Sequence, residues 1–147
     1  MRTSKVIVGL CIAGFLISLY LTYLHYAPEE LDASFCNISD FLSCSTVNKS
    51  SYATLFGIPV ALIGIIGFVL LGFLSLARLM YARVALFYSS LGALLFMLYL
   101  TFVELFIINA VCVLCIAVLL IMAAIFSVSC YSYGRESVRF VREMKFE

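Results

Sequence analysis

The chain has 147 residues, of which 65% are hydrophobic and 12% charged, and its mean hydropathy is +1.19. That composition belongs to a polytopic membrane protein and excludes an ordinary soluble domain. The formal net charge is only +1, and the sequence has neither a Gly-rich phosphate loop nor a basic–aromatic patch, which sets nucleotide and nucleic-acid binding aside.

Met1 to Lys5 is short and basic. Residues 6–26 are nearly uncharged and long enough, at ~1.5 Å rise per residue, to cross a ~30 Å hydrocarbon core. The run exceeds the ~7–15-residue apolar core of a signal peptide and no small-x-small cleavage site follows, so it reads as a retained first transmembrane helix. Cys11 within it reads as a small packing residue. His25 at its end reads as an interfacial anchor, with a proton role as the alternative.

Residues 27–54 form the one long polar segment. Pro28-Glu29-Glu30 is suited to open a short helix, with proline in the first turn and acids at the positive end. Leu31, Phe35, Ile38, Phe41 and Leu42 fall near helical spacing, which suits a segment lying on the membrane or capping the bundle. Cys36 and Cys44 stand in this segment, followed by a polar run that contains Ser50.

Residues 55–76 read as a second span, with Pro59 in its first turn, where a missing N–H costs little. Gly57, Ala61 and Gly64 share a face of that helix and allow close backbone approach. Residues 84–108 make a third span with Glu104 near its end, read first as an interfacial carboxylate that reaches water, with a proton donor as the alternative, since an ionisable group in a span is a functional candidate. Residues 111–131 make a fourth, ending near Cys130. The charged tail 134–147 carries Val138, Val141 and Met144 as a stripe. The expectation is a single domain, residues 1–147: an all-α, four-transmembrane-helix bundle whose long external loop carries a short helix.

In that arrangement Arg2, Lys5, Arg78, Arg83, Arg135, Arg139, Arg142 and Lys145 fall on one side, and Lys49 alone on the other. The excess of cations on cytoplasmic segments puts both termini in the cytoplasm and residues 27–54 outside. Cys36, Cys44, Cys112 and Cys115 then lie at the external face, where disulfides persist, and Cys11 and Cys130 lie towards the reducing side.

Cys112-Val-Leu-Cys115 opens the fourth apolar run. Cysteines at i and i+3 of a helix share a face, and their Cα atoms fall in the ~4.4–6.8 Å range that a disulfide requires. A helix N-terminus favours an anion, so a thiolate there is more acidic and more reactive than a free cysteine. Four cysteines meeting at one membrane edge admit three readings. They are two structural bridges, a zinc site with four cysteine ligands, or a thiol–disulfide relay. Zinc sites favour paired short knuckles, which a seven-residue gap does not supply. A structural bridge has no need of a helix N-terminus beside an apolar bundle, whereas a pair that hands electrons to a membrane-soluble carrier does.

These features together, namely C-x7-C at Cys36 and Cys44, Ser50 six residues on, Phe56-Gly57-Ile58-Pro59, and Cys112-Val-Leu-Cys115, resemble the vitamin K epoxide reductase family, most of all its bacterial and archaeal branch. The resemblance runs from the first span to the fourth. It implies that Cys36 and Cys44 are a shuttle pair and that Cys112 and Cys115 are the active-site pair facing a quinone. It further implies a transient Cys44–Cys112 disulfide, with Ser50 beside the active-site cysteines and, with Cys115, next to the quinone. The acceptor would be menaquinone, ubiquinone or a similar quinone, with no metal, in a prokaryotic cell membrane. The vertebrate members resemble one another in a tyrosine four residues after the CxxC and an asparagine three before the Phe-Gly. Here those positions are Leu119 and Ala53, which points to quinone rather than vitamin K epoxide. Many prokaryotic relatives carry a fused thioredoxin-like domain. This chain is too short for one, so the resemblance implies a separate thioredoxin-like, DsbA-like dithiol partner. The similarly functioning bacterial oxidase of periplasmic disulfide carriers has its two cysteine pairs in the reverse order. The reading from a different class is a four-helix membrane scaffold or transporter subunit with purely structural disulfides.

Overall fold

The computed structural model describes residues 2–27, 44–55, 57–77 and 80–144. Helices carry most of them: α1 (Arg2–Tyr26), α2 (Cys44–Asn48), α3 (Val60–Leu76), α4 (Met80–Val103) and α5 (Val113–Met144). A 3-10 turn, Ser51–Ala53, and two short strands, β1 (Thr54–Leu55) and β2 (Ile58–Pro59), lie between α2 and α3. A π-helical turn, Glu104–Ile108, extends α4. Expectations that rest on Pro28–Glu30, on Leu31, Phe35, Ile38, Phe41 and Leu42, and on Cys36 and Phe56 fall outside the described residues.

Thr3–Tyr26, Tyr81–Ile108 and Val113–Arg135 are long and apolar enough to cross a membrane, and Val60–Leu76 is a shorter apolar helix. α1 packs against α3 and α5, and α4 packs against α3 and α5. The chain is therefore mostly helical, as its composition requires, but not purely so.

The expected second span begins late. Thr54–Leu55 and Ile58–Pro59 form an antiparallel ladder, Thr54 opposite Pro59 and Leu55 opposite Ile58, before α3 starts at Val60. Two residues break the helix there. Gly57 has φ +79, a conformation that glycine adopts without a Cβ penalty. Pro59 biases the residue before it towards extended backbone, and it sits at the N-cap rather than inside the first turn. Gly57 therefore does not share a helix face with Ala61 and Gly64. At the other end of the chain, α5 does not stop near Cys130 but runs through the charged tail to Met144.

Ile7, Cys11, Phe68, Leu71, Leu86, Val118, Met122 and Ile125 form the core between the long helices, and Cys11 is the small packing residue expected. Leu16, Leu19, Ile66, Val69, Phe73, Leu95, Leu98 and Leu120 point outward and are exposed. A helix surface this apolar needs lipid rather than water around it. Apolar burial gives little net drive between helices in lipid, so close fit has to hold them together. At Gly14 of α1 a Cβ would run into the ring of Phe68, itself almost fully buried. At the far end the Ser4 hydroxyl donates to the Ser75 carbonyl at 2.9 Å.

Gly14→Ala forces α1 and α3 apart, and overpacking of this kind costs about 1–3 kcal/mol. Thermal unfolding in detergent should show a lower midpoint for Gly14→Ala, partly restored by adding Phe68→Leu. An unchanged midpoint would mean that the Gly14–Phe68 contact does not set the helix spacing.

Candidate active site

The site is built on the turn between α4 and α5. After the π-helical turn, Asn109 takes the left-handed conformation (φ 54, ψ 31) and its N–H bonds the Glu104 carbonyl. Asparagine is one of the few side chains that tolerate this region. The Ala110 N–H reaches the same carbonyl at 3.3 Å. The chain thereby reverses and carries Ala110, Val111 and Cys112 into a buried position.

Cys112 stands at the N-cap position of α5, one residue before its helical backbone begins. Its carbonyl accepts the Ile116 N–H at 3.1 Å, and its Sγ accepts the Cys115 N–H at 3.4 Å. The sulfur thus does what a serine or aspartate oxygen does in an ordinary cap, satisfying one of the free N–H groups of the first turn. Cys112 lies just outside the apolar span that begins at Val113. The hydrogen bond with the Cys115 thiol, aided by backbone N–H groups of the first turn, lowers the Cys112 thiol below the ordinary cysteine value, against the opposing effect of its burial and of nearby Glu104.

Glu104 holds the other side of this turn. Its Oε2 accepts the Cys112 N–H at 3.4 Å, and its side chain faces the Cys115 thiol. It is only 5% exposed. The expectation of an interfacial carboxylate reaching water is therefore incorrect. The π-helical turn widens the helix at this residue, and the reversal at Asn109 folds the following chain back over the carboxylate.

Above the turn lies the short helix α2. Its first residue, Cys44, is fully buried, like Cys112. The two sulfurs are 3.0 Å apart although 68 residues separate them in sequence. Cys44 is part of a disulfide, whereas Cys112 and Cys115 are free thiols. Leu21, Val47 and Ala110 pack around the sulfurs.

Two bonds pin α2 to α1. The buried Asn48 donates from Nδ2 to the Leu21 carbonyl at 2.7 Å. His25 Nδ1 meets the Asn48 carbonyl oxygen at 2.7 Å. His25 is thus an anchor, though to the polar segment rather than to the membrane interface. Nothing in the sequence marks Asn48 as a structural pin, since its neighbours Thr46, Lys49, Ser50 and Ser51 set it in a generic polar run.

A cavity opens beneath α2 inside the bundle. Cys115, Glu104, Asn48, Ser50, Tyr52 and Thr101 supply its polar groups, and Leu21, Val60, Ala61, Met97, Ile108 and Val118 are among its apolar walls. Ser50 and Cys115, expected near one another, line the same space. The Ser50 hydroxyl donates to the Val47 carbonyl at 2.7 Å, closing the end of α2, so its proton is engaged within the loop. The cavity is mostly apolar with a few polar groups, the usual character of a site for a planar organic ligand. Leu119 and Ala53, the positions where the vertebrate pattern has tyrosine and asparagine, put no polar group of that kind here.

Asn48→Asp sets a carboxylate against the Leu21 carbonyl in place of a donor. An unsatisfied buried polar group costs about 1–3 kcal/mol, enough to loosen α2. In a variant lacking Cys36 and Cys115, mild oxidation should link Cys44 to Cys112. Adding Asn48→Asp should cut that yield several-fold on non-reducing gels, and an equal yield would show that the pin does not position Cys44.

Residues 5–130 match the model of the vitamin K epoxide reductase family. No curated protein matches the sequence.

Proposed function

We propose a function from one premise, that the chain belongs to the vitamin K epoxide reductase family. The family makes it an oxidoreductase, and its three long apolar helices make it an integral membrane protein. The reading best supported is a membrane thiol–disulfide oxidoreductase that oxidises a dithiol protein outside the cytoplasm and reduces a quinone. The observation that carries it is the 3.0 Å approach of Cys112 Sγ to Cys44 Sγ, with Cys44 in a disulfide and Cys112 at a helix N-terminus.

We take Cys36 as the partner of Cys44, as the family resemblance implies. A thioredoxin-like partner attacks that disulfide at Cys36, releases Cys44 as a thiolate, and leaves oxidised once its second thiol has freed Cys36. Cys44 attacks Cys112 of an oxidised Cys112–Cys115 pair and expels Cys115. Cys36 then attacks Cys44 and releases Cys112. Two electrons have moved inward, leaving Cys44 in a disulfide and both active-site cysteines as thiols. The reduced pair gives its electrons to a quinone in the adjoining cavity, and each step runs downhill only if the next couple is more oxidising, ~30 mV being worth about 1.4 kcal/mol for two electrons.

Replacing Cys112 or Cys115 should abolish quinone reduction with every reductant. Replacing Cys36 or Cys44 should spare the reaction with a small membrane-permeant dithiol and stop it with a protein dithiol. Steady loss of quinone absorbance measures both. Equal loss in all four variants with both reductants would break the division into two pairs.

For topology we propose four spans, with α3 as the short one. Its 17 residues fall at the lower limit of the ~17–25 that span a bilayer. Both termini lie in the cytoplasm and the cysteine pairs face outward, in a prokaryotic cell membrane. A membrane-impermeant thiol reagent should then label Cys36 in reduced intact cells and leave the exposed Cys130 untouched until the cells are lysed. Labelling of Cys130 in intact cells would reverse the orientation.

A further inference from the structure

The relay accounts for sulfur and electrons but not for protons, and the buried acid next to the thiols is unused by it. Oxidising the Cys112–Cys115 dithiol to its disulfide releases two electrons and two protons. A quinone takes up two of each to become the hydroquinone. We infer that Glu104 carries one of those protons, taking it from the Cys115 thiol and delivering it to the oxygen of the quinone in the cavity. The second proton leaves Cys112 when its thiolate forms and is made good at the quinone from water.

The inference deepens the quinone-reductase reading and rests on it. Its observations are geometric. Glu104 lines the same cavity as Cys115. Its carboxyl faces the Cys115 thiol and takes the Cys112 N–H at 3.4 Å. The titratable groups that face it among the described residues are Cys112, Cys115 and, across the cavity, Tyr52. No lysine, arginine or histidine among the described residues pairs with it. An acid kept inside a membrane bundle without a cation is costly, and such groups mark proton paths and ligand sites more often than structural joints. The π-helical turn that begins at Glu104 is itself a distortion found often at functional sites. The rival role is structural, in which Glu104 serves only to hold the Cys112 N–H.

Glu104→Gln separates the two roles. Its amide oxygen still accepts the Cys112 N–H, but it cannot carry a proton. The test uses the full chain in detergent or vesicles, a permeant dithiol and a water-soluble naphthoquinone. Positioned proton transfer contributes about 10²–10⁴-fold. Glu104→Gln should therefore reduce the quinone at least about a hundredfold more slowly than wild type at neutral pH. Its rate should climb with pH as base removes the thiol proton directly. Glu104→Asp, which keeps a carboxyl, should recover a substantial part of the rate. Cross-linking of Cys44 to Cys112 in the Cys36- and Cys115-less background should be unaffected by Glu104→Gln. A Glu104→Gln rate within threefold of wild type overturns the inference. So does a loss of rate accompanied by a loss of the Cys44–Cys112 link, since that is the structural role. If wild type itself leaves the quinone oxidised, the quinone reading fails and the proton path fails with it. If wild type reduces quinone while Glu104→Gln does so equally well, the proton path alone fails.

Discussion

The site depends on one contact, the approach of Cys112 Sγ to Cys44 Sγ across 68 residues of chain. Cys112 is positioned by its own turn, and Cys44 by a distant helix. Cys112 is fixed because a helix must end its first turn with something that accepts N–H groups, and here the acceptor is the thiol. Cys44 is fixed because Asn48 and His25 tie α2 to the end of α1. Each tie satisfies a buried polar group, so each loses more when broken than it contributes when made. The sulfur contact inherits its reliability from that asymmetry.

The bundle beneath must hold these ties without help from water. Its outward faces are apolar, and contact with lipid gives them no reason to turn inward. Close fit is what remains. Gly14 admits the Phe68 ring, and Gly64 lies close to Ser18, the would-be Cβ falling 3.1 Å from its hydroxyl. Ser18 and Gly64 both border the cavity. The close passage of α1 and α3 therefore sets the width of the cavity as well as the stability of the bundle.

The long apolar helices and the spacing of Cys112 and Cys115 were legible because they are one-dimensional signals. Hydropathy over about twenty residues marks a candidate span, and i, i+3 spacing marks the pair at Cys112 and Cys115. What the sequence concealed depends on chain reversal. Leu55 to Pro59 is apolar enough to pass for the start of a helix, yet Gly57 and Pro59 turn it into a hairpin. Glu104 lies eight residues before Cys112, a separation that would leave it two turns away on a continuous helix. Only the π-helical turn and the left-handed Asn109 fold it back onto the thiols. Asn109 immediately after an apolar run was the available signal, since asparagine commonly ends helices in that conformation. Asn48 offered no comparable sign, because its partner is a backbone carbonyl on a distant helix.

The spacing of the two active-site cysteines gives each a separate neighbour. Three residues along a helix amount to a rise of about 4.5 Å on nearly the same face. Cys112, at the N-cap, meets Cys44 in a fully buried contact under α2. Cys115, one turn inward, borders the cavity together with Glu104. A single helical turn therefore separates the sulfur that meets Cys44 from the sulfur that faces the cavity. In the proposed relay, electrons cross that gap by way of a Cys112–Cys115 disulfide, but protons cannot follow through apolar packing. The proposed relay then needs its proton handled on the cavity side, where among the described residues the carboxyl of Glu104 borders the cavity and faces the Cys115 thiol.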